Sequence, residues 1–144
     1  MAFKKILVAI DDNPIAAHAV DVGGELAGLA GAELGLVHVI DPELVNAADT
    51  GMQPAVLEAA ARDEAHKMIG AFRGRLSLTS PVQGFVQVGA AASEIVQAAK
   101  DWPADMIVIG SHGRSGIRRA LLGSVAEGVM RQASCPVLVV RGKE

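Results

Sequence analysis

Residues 106–140 read MIVIGSHGRSGIRRALLGSVAEGVMRQASCPVLVV, and this stretch contains the pattern that decides the fold. An apolar run at 106–109 leads into a stretch rich in glycine and arginine. A second apolar run, from Pro136 to Val140, follows a short helical pattern. Glycines that follow a strand and precede a helix are a common way to offer backbone N–H groups to a phosphate. The stretch therefore predicts a strand, a phosphate-binding loop, a helix and a further strand.

The rest of the chain continues this alternation of strands and helices. Short apolar runs closed by polar turn residues predict strands that are buried on both faces. One run differs, because polar Gln83 and Gln87 alternate with apolar residues, as in a half-exposed edge strand. Together with the two strands above, the predicted set has five members: residues 6–10, 34–40, 82–88, 106–109 and 136–140.

Helices are predicted between most of these strands. Asn13 is suited to cap a helix that begins at Pro14 and has an apolar face interrupted by Gly23 and Gly24. A polar connection, residues 42–52, precedes a longer helix from Pro54. Two shorter helices are predicted at 91–100 and from Ser124, which has capping-box spacing to Glu127. The predicted apolar faces of the two longer helices are Ile15, Ala19, Val22, Leu26 and Leu29, and Leu57, Ala61, Ala65, Met68 and Phe72.

This alternation predicts an α/β fold. Strands separated by helices pair in parallel through right-handed crossovers. We expect one doubly wound, Rossmann-like domain over residues 1–144, with helices on both faces of a five-stranded parallel sheet. The half-exposed third strand belongs at an edge, which favours the strand order 3-2-1-4-5.

Composition excludes several classes of protein. Of 144 residues, 51% are hydrophobic and only 3% aromatic, which suits a sheet core of Val, Ile, Leu and Ala. The net charge of −3 gives no overall attraction to nucleic acid or anionic membranes. The single Cys135 excludes an internal disulfide and is interpreted as a small buried apolar residue. The first apolar run is too short for a signal peptide or membrane span, so we expect a cytoplasmic protein.

The predicted strand order also predicts where a ligand binds. In an open parallel sheet, ligands bind beyond the carboxyl ends of the strands where the order reverses. Here that point lies between the first and fourth strands, so Asp11 and Asp12 should meet Gly110 and Gly113. Asp11 is a candidate acceptor for a ribose hydroxyl or an adenine amine. The alternative is an acid that only stabilises the turn or caps the helix. Because Asp12 is adjacent, the sequence leaves open which acid has which role.

The glycines and their neighbours are candidates for the phosphate side of the site. Gly110 and Gly113 lack a Cβ and tolerate positive φ, which permits close approach of a phosphate, but a tight turn explains them equally well. At Ser124 and Val125, a helix start would supply free N–H groups, and Ser124 would act as its N-cap. Further candidates are Arg114 for the phosphate charge, and His112, for which loop packing is the alternative. Arg118 and Arg119 are interpreted as a solvated face, and His38 as structural.

Motifs that would indicate other chemistry are absent from the sequence. There is no P-loop ending in Gly-Lys-Ser/Thr, no G-x-G-x-x-G after the first strand, and no nucleophile elbow. Nothing nominates a catalytic base for hydrolysis. Magnesium would enter mainly with bound phosphates rather than through protein ligands alone.

The chain resembles the ATP-binding type of universal stress protein. The resemblance rests on KKILVAIDD at 4–12, LVHVIDP at 36–42 and the segment 105–140. That family's signature is G-x2-G-x9-G-[ST], and Gly110, Gly113, Gly123 and Ser124 match every position. The resemblance implies that the chain binds ATP, with ADP or AMP as alternatives, and acts as a stress sensor or regulator rather than an efficient enzyme.

The resemblance also implies roles for individual residues. Asp11 would contact the adenosine, and the backbone of Val39 would hold the adenine. Gly110, Gly113, Gly123, Ser124 and Val125 would surround the ribose and phosphates. Homodimerisation is implied through the last strand, from Pro136 to Val140, which is consistent with the need to cover an apolar sheet edge. Two other functions stay open, namely a slow ATP hydrolase or nucleotidyl-transferring enzyme, and a partner-binding module that ignores nucleotide.

Overall fold

A computed structural model describes residues 2–45, 51–112 and 122–142. Strands and helices alternate along these residues, as the sequence predicts. In chain order they are β1 Lys5–Ala9, α1 Pro14–Ala30, β2 Glu33–Ile40, α2 Pro42–Val45, α3 Pro54–Arg73, β3 Gln83–Val88, α4 Ala91–Asp101, β4 Met106–Gly110, α5 Ser124–Gln132 and β5 Val137–Val140.

The five strands form one parallel sheet in the order β3-β2-β1-β4-β5, which confirms the predicted topology. The half-exposed β3 lies at one edge and β5 at the other. One face carries an apolar core that includes residues of α1 and α3, and the opposite face carries a second core with residues of α4 and α5. The order reverses between β1 and β4, so the carboxyl ends of these two strands flank the predicted crevice.

Helix α1 begins as the sequence predicts, and its buried face matches the predicted one in part, because Ala19 is buried and Val22 and Leu26 pack against the core. The Asn13 side chain accepts a hydrogen bond from the Ile15 N–H, and Pro14 is the first helical residue. Leu29, predicted to be on the apolar face, is 80% exposed. The face that contacts the sheet consists of small residues instead: Ala16, Ala19, Val20, Gly23, Gly24 and Ala27. Gly23 lets the helix lie close to the strands, because a Cβ there would meet Val8 of β1, whereas a Cβ on Gly24 would meet Leu76, which follows α3.

Two helical glycines with different surroundings, Gly23 of α1 and Gly70 of α3, are expected to respond in opposite ways to substitution by alanine. A Cβ on Gly23 would lie 2.5 Å from Val8 Cγ2, whereas a Cβ on Gly70 of α3 would meet nothing within 4 Å. We expect Gly23→Ala to lower the free energy of unfolding by about 1–3 kcal/mol through overpacking. Gly70→Ala should raise it by about 0.5–1 kcal/mol through helix propensity. Urea denaturation measures both, and equal signs would contradict the role assigned to Gly23.

Two local predictions are wrong. The connection after β2 contains a short helix, α2, which buries Val45. The predicted capping box does not form, because Gly123 is the cap residue of α5, has no side chain, and Ser124 is already helical. The Glu127 carboxylate instead pairs with Arg131 one turn later, at 2.6 Å.

Across the described ranges, none of the helices is both long and apolar enough to pass through a bilayer.

Candidate functional site

A cavity of about 250 Å³ lies at the carboxyl ends of β1, β2 and β4, beside the reversal of strand order. The starts of α4 and α5 close it on one face of the sheet, and α1 borders it on the other. Its walls are mainly apolar, with a few polar groups. The lining residues are Ala9, Ile10, Asp11, Ala16, Val37, His38, Val39, Asp41, Ala91, Ile95, Ile109, Gly110, His112, Val125 and Ala126.

Five of the predicted site residues line this one cavity, although they come from four separate parts of the chain: Asp11, Val39, Gly110, His112 and Val125. Gly123 and Ser124 do not line it but lie directly before Val125, at the start of α5. Gly113 and Arg114, like Arg118 and Arg119, fall outside the described residues.

Asp11 is held in a defined conformation at the end of β1. Its Oδ1 accepts a hydrogen bond from the Asn13 N–H at 2.9 Å, which forms a turn that leads into α1. The residue is half-buried and borders the cavity. Since an ionised carboxylate offers about four lone-pair sites, this contact leaves it the capacity to accept further hydrogen bonds. The turn role and the ligand role are therefore compatible in one side chain.

The backbone of Val39 lies where β1 has ended. The Ile10 N–H donates to the Val37 carbonyl at 2.9 Å, at the end of the β1–β2 ladder. Because the bonded residues alternate along a parallel strand, the next groups of β2 on the β1 side are the N–H and C=O of Val39. Val39 itself lines the cavity at this end of the sheet.

Gly110 owes its identity to packing. A Cβ at this position would lie 2.6 Å from Ile15 Cγ2 of α1. Gly110 does not use the glycine's tolerance of positive φ, since among the described residues only Gly31, Gly51 and Gly89 have positive φ. Gly110 is the last residue of β4, and the missing side chain lets the start of α1 approach the strand end. That approach brings the two sides of the crevice together.

Ser111 fastens the start of α5 to the sheet, and sequence reasoning missed it. It is only 2% exposed. Its N–H donates to the Val140 carbonyl at 2.7 Å, and its own carbonyl accepts from the Gly123 N–H at 2.6 Å. The Gly123 N–H therefore has an acceptor within the chain. The N–H groups of α5 that lack an acceptor within the helix begin with those of Ser124 and Val125. The only sequence signal is a serine directly after a predicted strand, which does not reveal these two contacts.

His112 and His38 contribute the imidazoles of the cavity. His112 Nδ1 lies 3.2 Å from Ser111 Oγ, a contact that agrees with a role in loop packing. His38 Nδ1 lies 3.0 Å from the Ile10 carbonyl oxygen, so this histidine is structural, as predicted, and also lines the cavity.

A second, larger cavity of about 460 Å³ lies at the amino ends of β4 and β5. It contains none of the predicted site residues and is lined by Cys135, among others. Burial raises the pKa of the half-buried Cys135 thiol, so the side chain is a neutral thiol at pH 7. We assign the site to the smaller cavity, because the carboxyl ends of the strands are where parallel sheets bind ligands.

The donor set of the smaller cavity suits an organic anion better than a resident metal ion. Its apolar walls can hold a flat base, Asp11 can accept hydrogen bonds, and the start of α5 can donate them to an anion. Within residues 2–45, 51–112 and 122–142, no three His, Cys, Asp or Glu side chains cluster in a way that could hold a metal ion.

Comparison with known proteins agrees with this fold. The family model described as "Universal stress protein family" matches residues 2–141. Universal stress protein A homolog 2 of Coxiella burnetii is 37% identical over 98% of this chain and 97% of its own length. A solved structure of MJ0577, a universal stress protein of Methanocaldococcus jannaschii, has a TM-score of 0.88 at 31% identity, covering 100% and 99% of the two chains.

Two more distant solved structures of this fold are described as nucleotide complexes. A universal stress protein in complex with cAMP has a TM-score of 0.70 at 24% identity and covers 98% of both chains. One from Archaeoglobus fulgidus in complex with dAMP has a TM-score of 0.64 at 23% identity and covers 97% of this chain and 99% of that one. On the family match and the identity to its relatives, this chain belongs to the universal stress protein family.

Proposed function

We propose that this chain is an ATP-binding stress-response regulator that binds the nucleotide in the cavity at the carboxyl ends of β1, β2 and β4. The observation that carries the proposal is the meeting of three complementary groups at one cavity. These are the Asp11 carboxylate, the backbone edge of Val39, and the start of α5 at Val125.

The dimensions of the cavity support a division of the ligand into two parts. Its volume of about 250 Å³ is slightly below the roughly 300–1,000 Å³ of pockets that bury drug-sized ligands. A base and ribose would occupy it, against apolar residues such as Ile95 and Ile109. The phosphates would lie outside, toward Ser124 at the start of α5. From the sequence alone, the signature residue Gly113 and the charge of Arg114 are assigned to them. Any Mg²⁺ would enter with them.

The nucleotide complexes of other family members support adenine in particular. cAMP and dAMP share the adenine base and differ in their phosphates and sugar, so the fold can hold this base. At 24% and 23% identity these structures speak for the fold alone. The proposal of ATP for this chain rests on its resemblance, through the complete glycine–serine signature, to the ATP-binding type of the family, with ADP and AMP as alternatives.

We also propose that the protein acts as a cytoplasmic homodimer that pairs through β5. This strand is at the edge of the sheet and consists of four apolar residues, Val137–Val140, three of them only half-buried. Apolar edge strands are normally paired or covered. Sedimentation equilibrium of the purified protein decides between one chain and two.

Calorimetric titration of nucleotide-stripped protein with ATP and Mg²⁺ tests the proposed binding. We expect Asp11→Ala to weaken ATP binding by about 10–100-fold, because a hydrogen bond to a charged group contributes about 1.5–3 kcal/mol. Asp12→Ala is the matched control, since Asp12 is exposed and does not line the cavity. Absence of binding heat at millimolar ATP would overturn the proposal, and equal losses in both variants would remove Asp11 from the site.

A single-turnover assay on the ATP complex separates regulation from catalysis, because it measures release of phosphate or AMP. We expect the bound nucleotide to be recovered intact. Release that is lost in Asp11→Ala would instead assign a slow hydrolase or nucleotidyl-transferring enzyme.

A further inference from the structure

We propose that His38 is a positioning residue for nucleotide binding, which acts by holding the Ile10 carbonyl and thereby the Asp11 carboxylate. This inference rests on the proposed function. It adds a residue that makes its hydrogen bond to the protein backbone rather than to the ligand.

The hydrogen bond fixes the tautomer of the imidazole. His38 Nδ1 lies 3.0 Å from the Ile10 carbonyl oxygen. A carbonyl oxygen can only accept, so Nδ1 must carry the proton and donate. In the neutral ring the lone pair is then on Nε2. The ring is half-buried and borders the cavity.

The Ile10 carbonyl shares a rigid peptide plane with the Asp11 N–H. The Ile10 N–H is already bonded to the Val37 carbonyl at 2.9 Å. With the carbonyl held by His38, both backbone polar groups of Ile10 are tied to β2. On the other side, Asp11 Oδ1 is bonded to the Asn13 N–H at 2.9 Å. Asp11 is therefore fixed at both ends, between β2 and the cap of α1.

The core does not explain a histidine at this position. Side chains on one face of a strand recur every second residue, so Leu36, His38 and Ile40 share a face of β2. Leu36 and Ile40 are apolar and buried, at 0% and 3% exposure. Another apolar residue at position 38 would continue that face but could not donate to the Ile10 carbonyl. The imidazole supplies that donor where the ladder between β1 and β2 ends.

Two substitutions separate the donor from the bulk of the ring. In His38→Asn the amide nitrogen stands near the position of Nδ1 and can still donate, whereas His38→Leu removes the donor. We expect His38→Leu to weaken ATP binding about tenfold and His38→Asn to restore the affinity to within about threefold of the original, measured by calorimetry. Val86→Ala is the control for lost packing, because Val86 pairs with His38 across the β2–β3 ladder and does not line the cavity.

A double-mutant cycle tests whether His38 acts through Asp11. In the Asp11→Ala background, His38→Leu should cause no further loss of ATP affinity, because the group it positions is gone. A tenfold loss in both backgrounds would overturn the proposal, as would a His38→Asn variant that binds as weakly as His38→Leu.

Nitrogen-15 NMR of the nucleotide-free protein separates this inference from the proposed function. We expect His38 to show the Nδ1-protonated tautomer, and the Asn13 amide to exchange faster in His38→Leu than in His38→Asn. An Nε2-protonated neutral ring would overturn the role of His38 even if ATP binds. If the tautomer and exchange rates are as expected but the original protein binds no ATP, the proposed function fails, and with it the assignment of His38 to nucleotide binding.

Discussion

Gly110→Val is expected to lower the free energy of unfolding by about 3 kcal/mol, the upper part of the range for overpacked substitutions. A Cβ on Gly110 would lie 2.6 Å from Ile15 Cγ2 and 3.4 Å from Ile15 Cβ, and the valine methyl groups would crowd the same helix further. The end of β4 or the start of α1 must then move. Both border the cavity, so we expect ATP affinity to fall as well. Urea denaturation measures the stability change.

Shortening Ile15 should relieve the same clash. In the Ile15→Ala background, Gly110→Val should cost clearly less than it does alone, and the double-mutant cycle measures this coupling. Ile15→Ala by itself controls for the packing that is lost. If the cost of Gly110→Val is the same in both backgrounds, then the approach of α1 to β4 does not explain the glycine.

Ala91→Phe is expected to weaken ATP binding at least about 100-fold, or about 2.7 kcal/mol, while the protein remains folded. Ala91 is the first residue of α4, is half-buried and lines the cavity. A phenyl ring at this position would take the space proposed for the base. The cavity is open to solvent at its edge, so the ring can be placed there without displacing the core around Ile95. Calorimetric titration measures the affinity, and a thermal melt measures the stability.

Ala55→Phe is the matched control for that substitution. Ala55 also lies in the first turn of a helix, α3, but is exposed and does not line the cavity. We expect this variant to bind ATP as the original protein does. Unchanged affinity in Ala91→Phe would place the base elsewhere and contradict the proposed site. Equal losses in the two variants would point to an indirect effect on the fold.

These variants, together with Asp11→Ala and His38→Leu, test different parts of one site. Ala91→Phe tests the space for the base, and Asp11→Ala tests the acceptor. His38→Leu tests how the Asp11 acceptor is held, and Gly110→Val tests the close approach of α1 to the end of β4. A nucleotide site at this cavity requires all four to weaken ATP binding, whereas Gly23→Ala should act on stability alone.

Much of the fold followed from local patterns. Apolar runs of four to seven residues separated by helical periodicity predicted five parallel strands, and the alternating Gln83 and Gln87 placed β3 at an edge. The strand order then predicted the position of the crevice and that Asp11 and Gly110 lie beside it, and both residues line the same cavity. Cap chemistry at Asn13 was also local and was confirmed. The capping box at Ser124 was not, because Gly123 takes the cap position and Ser124 is already helical.

The sequence by itself determined the order of the elements, the direction of the strands and the end of the sheet at which a ligand would bind, because these depend on periodicity and connection rules. Only the tertiary structure decided why Gly23 and Gly110 are glycines, how Ser111 ties α5 to β5, and which backbone group His38 holds. Those answers depend on distances between residues far apart in the chain. Such distances are set by how closely α1 and α5 pack on the sheet, which no local pattern encodes.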